Sequence, residues 1–226
     1  MRLSIWRYEL ARLGWPALAG APLALAALGL LTTLAQILGN PRQVNNILSE
    51  CLDVLPVVAG VAAASAVRAD SAFELQLSLP TSFRVTALRR LVLAVGWTML
   101  LSLLVGLGLA LSNRLIWPAA PAADQLIWLA PLLWMAAVGA AITLGLRAFA
   151  VGCGIVAVLW VLERLSSDLF MSAPWLQMLW LFLRYSYVSP AAWYANRVAV
   201  LLFAVLLFAL TYWLLGRTER LLGSEA

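Results

Sequence analysis

The sequence predicts an all-α membrane protein of six transmembrane helices. An N-terminal interfacial helix precedes them, a long inner connection joins spans 2 and 3, and short re-entrant outer helices lie between spans 5 and 6. Three observations predict it. The 226 residues are 64% hydrophobic and 11% charged, with mean hydropathy +0.95, where a soluble domain carries roughly 25% charged residues. Uncharged apolar runs recur at the length a bilayer core requires. The charges are grouped between those runs rather than spread through them.

The spans fall at approximately 16–38, 52–67, 91–112, 126–146, 148–165 and 198–216 of a single domain. Pro16–Leu38, Leu91–Ser112, Leu126–Leu146 and Val198–Gly216 reach the roughly 20 residues that cross a core of about 30 Å. Leu52–Val67 is shorter, with Asp53 at its outer end. Ala148–Leu162 gives about 22 Å of helix, so this span extends past Glu163 or continues as a broken helix buried in protein. Pro16–Leu38 exceeds the roughly 7–15 residues of a signal-peptide apolar region and reads as a retained first span.

Orientation follows from the arginines. All fifteen basic residues are Arg. With the N-terminus inside, Arg2, Arg7, Arg12, Arg68, Arg84, Arg89, Arg90, Arg147, Arg217 and Arg220 face inward. Arg42, Arg114, Arg164, Arg184 and Arg197 face outward. The excess places both termini in the cytoplasm. The net charge of +5 is then a topology signal and calls for no nucleic acid.

Before the first span, Leu3, Trp6, Leu10 and Leu13 share one helical stripe, with Trp6 and Trp15 as anchors. That pattern suits a helix on the inner membrane surface. The outer connections "GNPRQVNNILSEC" and "NRLIWPAAPAADQ" are short. From Arg164 to Arg197 the chain is too apolar for a solvated loop and too interrupted for a span. Trp175, Trp180, Tyr185, Tyr187, Trp193 and Tyr194 give it interfacial aromatic density. It reads as two short helices dipping into the outer leaflet, Pro174–Tyr185 and Pro190–Arg197. A seventh span over Trp175–Tyr187 would carry Arg184 and would move Arg217 and Arg220 outside.

Composition also excludes chemistry. Without Lys the chain has no P-loop, and without Lys or His it has no Schiff-base lysine, His-dependent triad or His metal site. Cys51 and Cys153 fall near opposite membrane faces, too far apart for a disulfide. The mid-span polar residues are Thr32, Thr33, Ser65, Thr98, Ser102 and Thr143, too few and too weakly polar for an ion-coupled pathway. The small-residue stretches "GVAAASA", "VGLGLA", "AAVGAA" and "AVGCG" permit close helix packing. Gly152 and Gly154 also offer a place for the fifth span to bend.

The connection "DSAFELQLSLPTSFRVTALRR", Asp70 to Arg90, is longer than a plain link needs. Asp70 or Ser71 can cap a helix with Glu74 in its first turn, where a negative charge favours the dipole. Pro80 ends that helix or starts another near Thr81. Phe73 and Leu77 then form an apolar knob that docks in a partner's groove or lies on the lipid headgroups.

These residues resemble the coupling segment of ABC-2-type transporter permease subunits. Glu74 stands at the family's acidic position. Leu75, Leu77 and Leu79 form its Leu-rich part, Pro80-Thr81-Ser82 the break, and Arg84, Arg89 and Arg90 the basic return to the membrane. The run that often precedes the Glu in the family is replaced here by "RADSAF". The whole layout is also similar, from inner surface helix to apolar outer helices. The resemblance implies a cytoplasmic coupling helix in which Asp70, Phe73, Glu74, Leu77, Pro80, Thr81, Arg84, Arg89 and Arg90 bind an ATPase. It implies separate ABC ATPase subunits that hold ATP and Mg, a second permease subunit identical or paralogous, contact with membrane lipids, and a bacterial plasma membrane. The expected activity is export of an amphipathic or lipid-like substrate by a chain that is not itself an enzyme. Two further readings stand beside it: a haem-exporter-like permease, and a non-transporting scaffold whose inner loop recruits a soluble regulator.

Overall fold

The computed structural model describes residues 15–68, 83–111, 125–183 and 187–216. Trp6, Asp70, Phe73, Glu74, Leu77, Pro80, Thr81 and Tyr185 lie outside the described residues. So do the residues of the expected N-terminal surface helix before Trp15 and most of the connection that follows α2. Within the described residues the chain is helical, with no strand: α1 (Trp15–Ile37), α2 (Pro41–Ala66), α3 (Phe83–Leu111), α4 (Leu126–Leu146), α5 (Phe149–Leu165), α6 (Ser167–Met171), α7 (Pro174–Gln177) and α8 (Pro190–Leu215). Four of these contain stretches long and apolar enough to cross a membrane: Ala17–Ile37, Arg84–Leu109, Leu126–Leu146 and Pro190–Leu215.

The turn between α1 and α2 is written in Gly39-Asn40-Pro41. Gly39 adopts φ +68°, its N–H bonds the Gln36 carbonyl, and Asn40 N–H bonds the Ala35 carbonyl. This closes α1 in the Schellman manner, where glycine carries the left-handed residue without a Cβ clash. The Asn40 side chain then accepts from Gln43 N–H at 3.2 Å, with Pro41 in the first turn of α2. Most of "GNPRQVNNILSEC" is therefore not a loop; from Pro41 on, it is the first part of α2. The second expected helix shifts in the same way. Pro190–Arg197 is no separate outer helix but the opening of α8, capped by Ser189 accepting from Ala192 N–H. The expected Pro174–Tyr185 helix shrinks to α7, Pro174–Gln177, followed by irregular backbone as far as Leu183, so among the described residues no seventh span forms there.

At the centre stand α2 and α4. Leu52, Leu55, Ala59, Ala62, Ala63 and Ala66 form the buried stripe of α2 at helical spacing. It faces α1, α3, α4 and α5, while α4 also packs on α8. The helices meet through their glycines. A Cβ at Gly139 would overlap the Gly60 carbonyl oxygen, and a Cβ at Gly152 would overlap the Thr143 hydroxyl. Small residues at such crossings let backbones touch and gain dispersion contact where no hydrophobic drive operates. Gly152 is thus a packing residue; Gly154 faces open space. Trp97 Nε1 donates to the Leu18 carbonyl at 3.0 Å, tying α3 to α1.

Outside these contacts the bundle is greasy. Leu30, Leu34, Leu104, Leu202, Val205 and Leu206 are all exposed. Thr32, Thr98, Ser102 and Thr211 return their hydroxyls to the carbonyl four residues earlier, which satisfies them within their own helices.

Candidate functional site

Antiparallel succession gives the bundle two ends, and each carries a set of cations. The starts of α3 and α5 and the ends of α2, α4 and α8 form the first end. Arg84 places its guanidinium 3.3 Å from the centroid of the Tyr212 ring, linking α3 to α8 by a cation–π contact. Its Nε is buried without a hydrogen-bond partner among the described residues. Arg68, just past α2, sits 5.5 Å from the Phe149 ring at the start of α5. Arg147 is the positive-φ residue (φ 54°) in the turn from α4 to α5. Of the residues expected to bind a partner here, three are described. Arg84 is committed to Tyr212, Arg89 is half-buried, and Arg90 is buried and engaged with other residues.

The opposite end is built around the irregular segment from Met178 to Leu183. Helical and sheet ladders supply no partners for its backbone, and an unpaired buried carbonyl is costly. Side chains of α8 supply them. Asn196 Nδ2 lies 2.7, 3.1 and 3.0 Å from the carbonyl oxygens of Gln177, Met178 and Trp180. Arg197 donates through Nη1 to Leu181 and through Nη2 to Leu183, each at 2.6 Å. Trp193 Nε1 adds a bond to the Leu183 carbonyl at 3.1 Å. From α5, Glu163 Oε2 accepts the Leu181 N–H at 3.0 Å. Trp193, Asn196 and Arg197 occupy one helical face because their spacings are three and four.

A second tie holds α5 to α2. Arg164 donates through Nη1 to Asp53 at 2.8 Å and through Nη2 to Glu50, while Trp160 Nε1 reaches the Asp53 carbonyl at 3.0 Å. The guanidinium fork spans two carboxylates three residues apart on one face of α2. Asp53 and Glu163 are the negative charges that act on Arg197.

Between α5–α6 and the side chains of Trp180, Phe182 and Tyr187 lies a cavity of about 400 Å³. Glu163, Arg164, Ser167 and Asp168 line one side, and Trp180, Phe182 and Tyr187 the other. Trp180 is stacked between Phe170 and Tyr187, with ring centroids 6.1 Å apart on both sides.

The expected interfacial aromatics divide accordingly. Trp175 and Tyr187 are exposed, whereas Trp180 and Trp193 are buried and face protein. Their indoles are part of the packing of this end. Trp15 begins α1. Arg197 is 1% exposed within α8, because the carbonyls of residues 14 and 16 positions earlier solvate it. Glu163, Asn196 and Arg197 were not among the expected site residues. Their signal was an Asn-Arg pair three and four residues after Trp193, leading directly into an uncharged run. Among the described residues no group of three or more His, Cys, Asp or Glu is placed to hold a metal. No protein-family model, no curated protein and no solved structure matches the chain.

Proposed function

We propose that the chain is the membrane-spanning permease subunit of an ABC-2-type exporter. In this reading α2 and α5 join the four long apolar helices as spans, giving six, with both termini on the cytoplasmic face of a bacterial plasma membrane. The observation that carries it is the Asp70–Arg90 stretch, which leads from α2 into the first two turns of α3, on the chain end where arginines outnumber those opposite. Two ABC ATPase subunits, holding ATP and Mg, would grip that elbow, and a second permease subunit would complete the pathway.

The contacts at that end support a route for force. Arg84, at the elbow's return, is clamped on Tyr212 of α8, and Arg68, at its departure, on Phe149 of α5. A displacement of the elbow therefore pulls on α5 and α8 together. These two helices hold the Met178–Leu183 segment at the far end through Glu163 and Arg197. An ATPase biases this system only by contacting the elbow differently in its open and closed states. The cargo in this reading is amphipathic or lipid-like and leaves near the Arg164–Arg197 end.

Co-purification tests the assignment. An associated ATPase with a P-loop supports the permease, while recovery of a different soluble protein moves the reading to a scaffold. In the assembled complex, replacing Phe73 and Glu74 together leaves ATP hydrolysis running but abolishes transport. Transport at the unaltered rate removes the coupling role.

A further inference from the structure

We infer that the turn joining α4 to α5 binds an anionic phospholipid. The guanidinium groups of Arg68 and Arg147 would hold its phosphate, and its acyl chains would lie along Leu146 and Val151. The site requires no ATPase and stands apart from the permease reading.

Charge accounting over the whole sequence locates it. The stretches of chain around the Met178–Leu183 end, 38–53, 112–125 and 163–197, hold five arginines and five carboxylates. The stretches 1–14, 69–82 and 217–226, which adjoin the first end in sequence, also hold five of each. What remains is Arg68, Arg84, Arg89, Arg90 and Arg147, which make up the net charge of +5. All five are described, and all stand at the first end. There Arg84 is committed to Tyr212, Arg90 is buried and engaged, and Arg89 is half-buried. Arg68 and Arg147 are exposed. Among the described residues neither of their guanidinium groups has a hydrogen bond or an ion pair. Arg68 lies 5.5 Å from the ring of Phe149, two residues beyond Arg147, so both cations flank the same turn. That contact uses the face of the Arg68 guanidinium and leaves its in-plane N–H donors for an anion.

The surroundings select a lipid over a soluble anion. Arg147 directly follows Leu126–Leu146, a helix long and apolar enough to cross a membrane. Its guanidinium therefore stands where hydrocarbon gives way to headgroups. Leu146 is 59% exposed and Val151 42% exposed, one before the turn and one after it. An acyl chain covers such apolar surface, whereas a free phosphate or an acidic peptide leaves it open. Guanidinium forks match phosphate oxygens in two-point geometry, and basic groups between helices at the membrane surface attract anionic headgroups.

Native mass spectrometry of the purified full chain, released from a neutral maltoside, tests the site. The chain is titrated with palmitoyloleoylphosphatidylglycerol or palmitoyloleoylphosphatidylcholine. The first lipid bound should favour phosphatidylglycerol by about 25-fold, which is two basic residues at about fivefold each. Arg68→Gln and Arg147→Gly should each lower that preference about fivefold. Glycine takes the left-handed backbone of residue 147 (φ 54°) more readily than arginine, so a loss in Arg147→Gly does not come from a damaged turn. Arg42→Gln removes the same charge from the start of α2 at the other end and should leave the preference unchanged. Equal affinity for the two lipids, an equal loss in Arg42→Gln, or an unaltered preference in both Arg68→Gln and Arg147→Gly overturns the proposal. Displacement of the bound lipid by inorganic phosphate or polyglutamate as readily as by phosphatidylglycerol assigns the arginines to a soluble anion and also overturns it. Displacement by phosphatidylglycerol alone upholds the lipid site.

Discussion

Glu163 and Arg197 hold the two polar groups of one residue. Glu163 on α5 accepts the N–H of Leu181 at 3.0 Å, and Arg197 on α8 donates to the carbonyl of the same Leu181 at 2.6 Å. A residue in irregular backbone is thereby satisfied on both sides by opposite charges from two helices. Within an apolar surround this is how non-helical backbone remains affordable.

Removing Arg197 should therefore be severe. Arg197→Leu leaves the Leu181 carbonyl unpaired, the Leu183 carbonyl with the Trp193 indole alone, and Glu163 without its cation, for a loss of about 3–5 kcal/mol. Arg197→Lys should recover only part of it, because a single ammonium lacks the fork that reaches both oxygens. Thermal unfolding in micelles checks this, and an Arg197→Leu midpoint within a degree of the parent refutes the bridging role.

Gly139 and Gly154 should respond oppositely to alanine. At Gly139 the added methyl overlaps the Gly60 carbonyl oxygen, so α2 and α4 must separate, at a cost of about 1–3 kcal/mol. At Gly154 nothing lies within 4 Å, and the better helix former should stabilise by roughly 0.5–1 kcal/mol. Equal midpoints for the two variants would mean the glycine crossing is not close-packed.

The Arg84–Tyr212 contact is measured by a double-mutant cycle. Arg84→Gln and Tyr212→Leu should couple by about 0.5–2 kcal/mol in unfolding free energy. Strict additivity of the two single changes would remove the clamp between α3 and α8.

At the first turn, Gly39→Ala forces a Cβ into the left-handed region and should cost about 1–2 kcal/mol. Asn40→Ala removes the cap on Gln43 N–H for about 0.5–2 kcal/mol. A Gly39→Asn variant should lose less than Gly39→Ala, since asparagine tolerates that backbone better; the reverse order in urea unfolding contradicts the turn.

The elements legible in the sequence were those set by local physics. Leu126–Leu146 matched its helix end to end, since a run of uncharged residues between polar flanks has only one way to satisfy its backbone in apolar surroundings. The α1–α2 turn was equally local, Gly39-Asn40-Pro41 being a helix stop, a cap and a helix start in succession, although it was read as part of a loop. The Glu163–Leu181–Arg197 bridge was not legible, because charges in a sequence look solvent-bound until a distant acceptor is known.

By itself, then, the order of residues determined that this chain is built of apolar helices and where several of them begin and end. Hydrophobic length and capping act within a few residues, so they can be read along the chain. Only the tertiary structure decided that Arg197 lies inside, that Trp180 and Trp193 face protein, and that Glu163 opens onto a cavity. Each depends on the carbonyls or rings of segments brought together by the packing of α2, α4, α5 and α8, and no local pattern records which partner the fold will deliver.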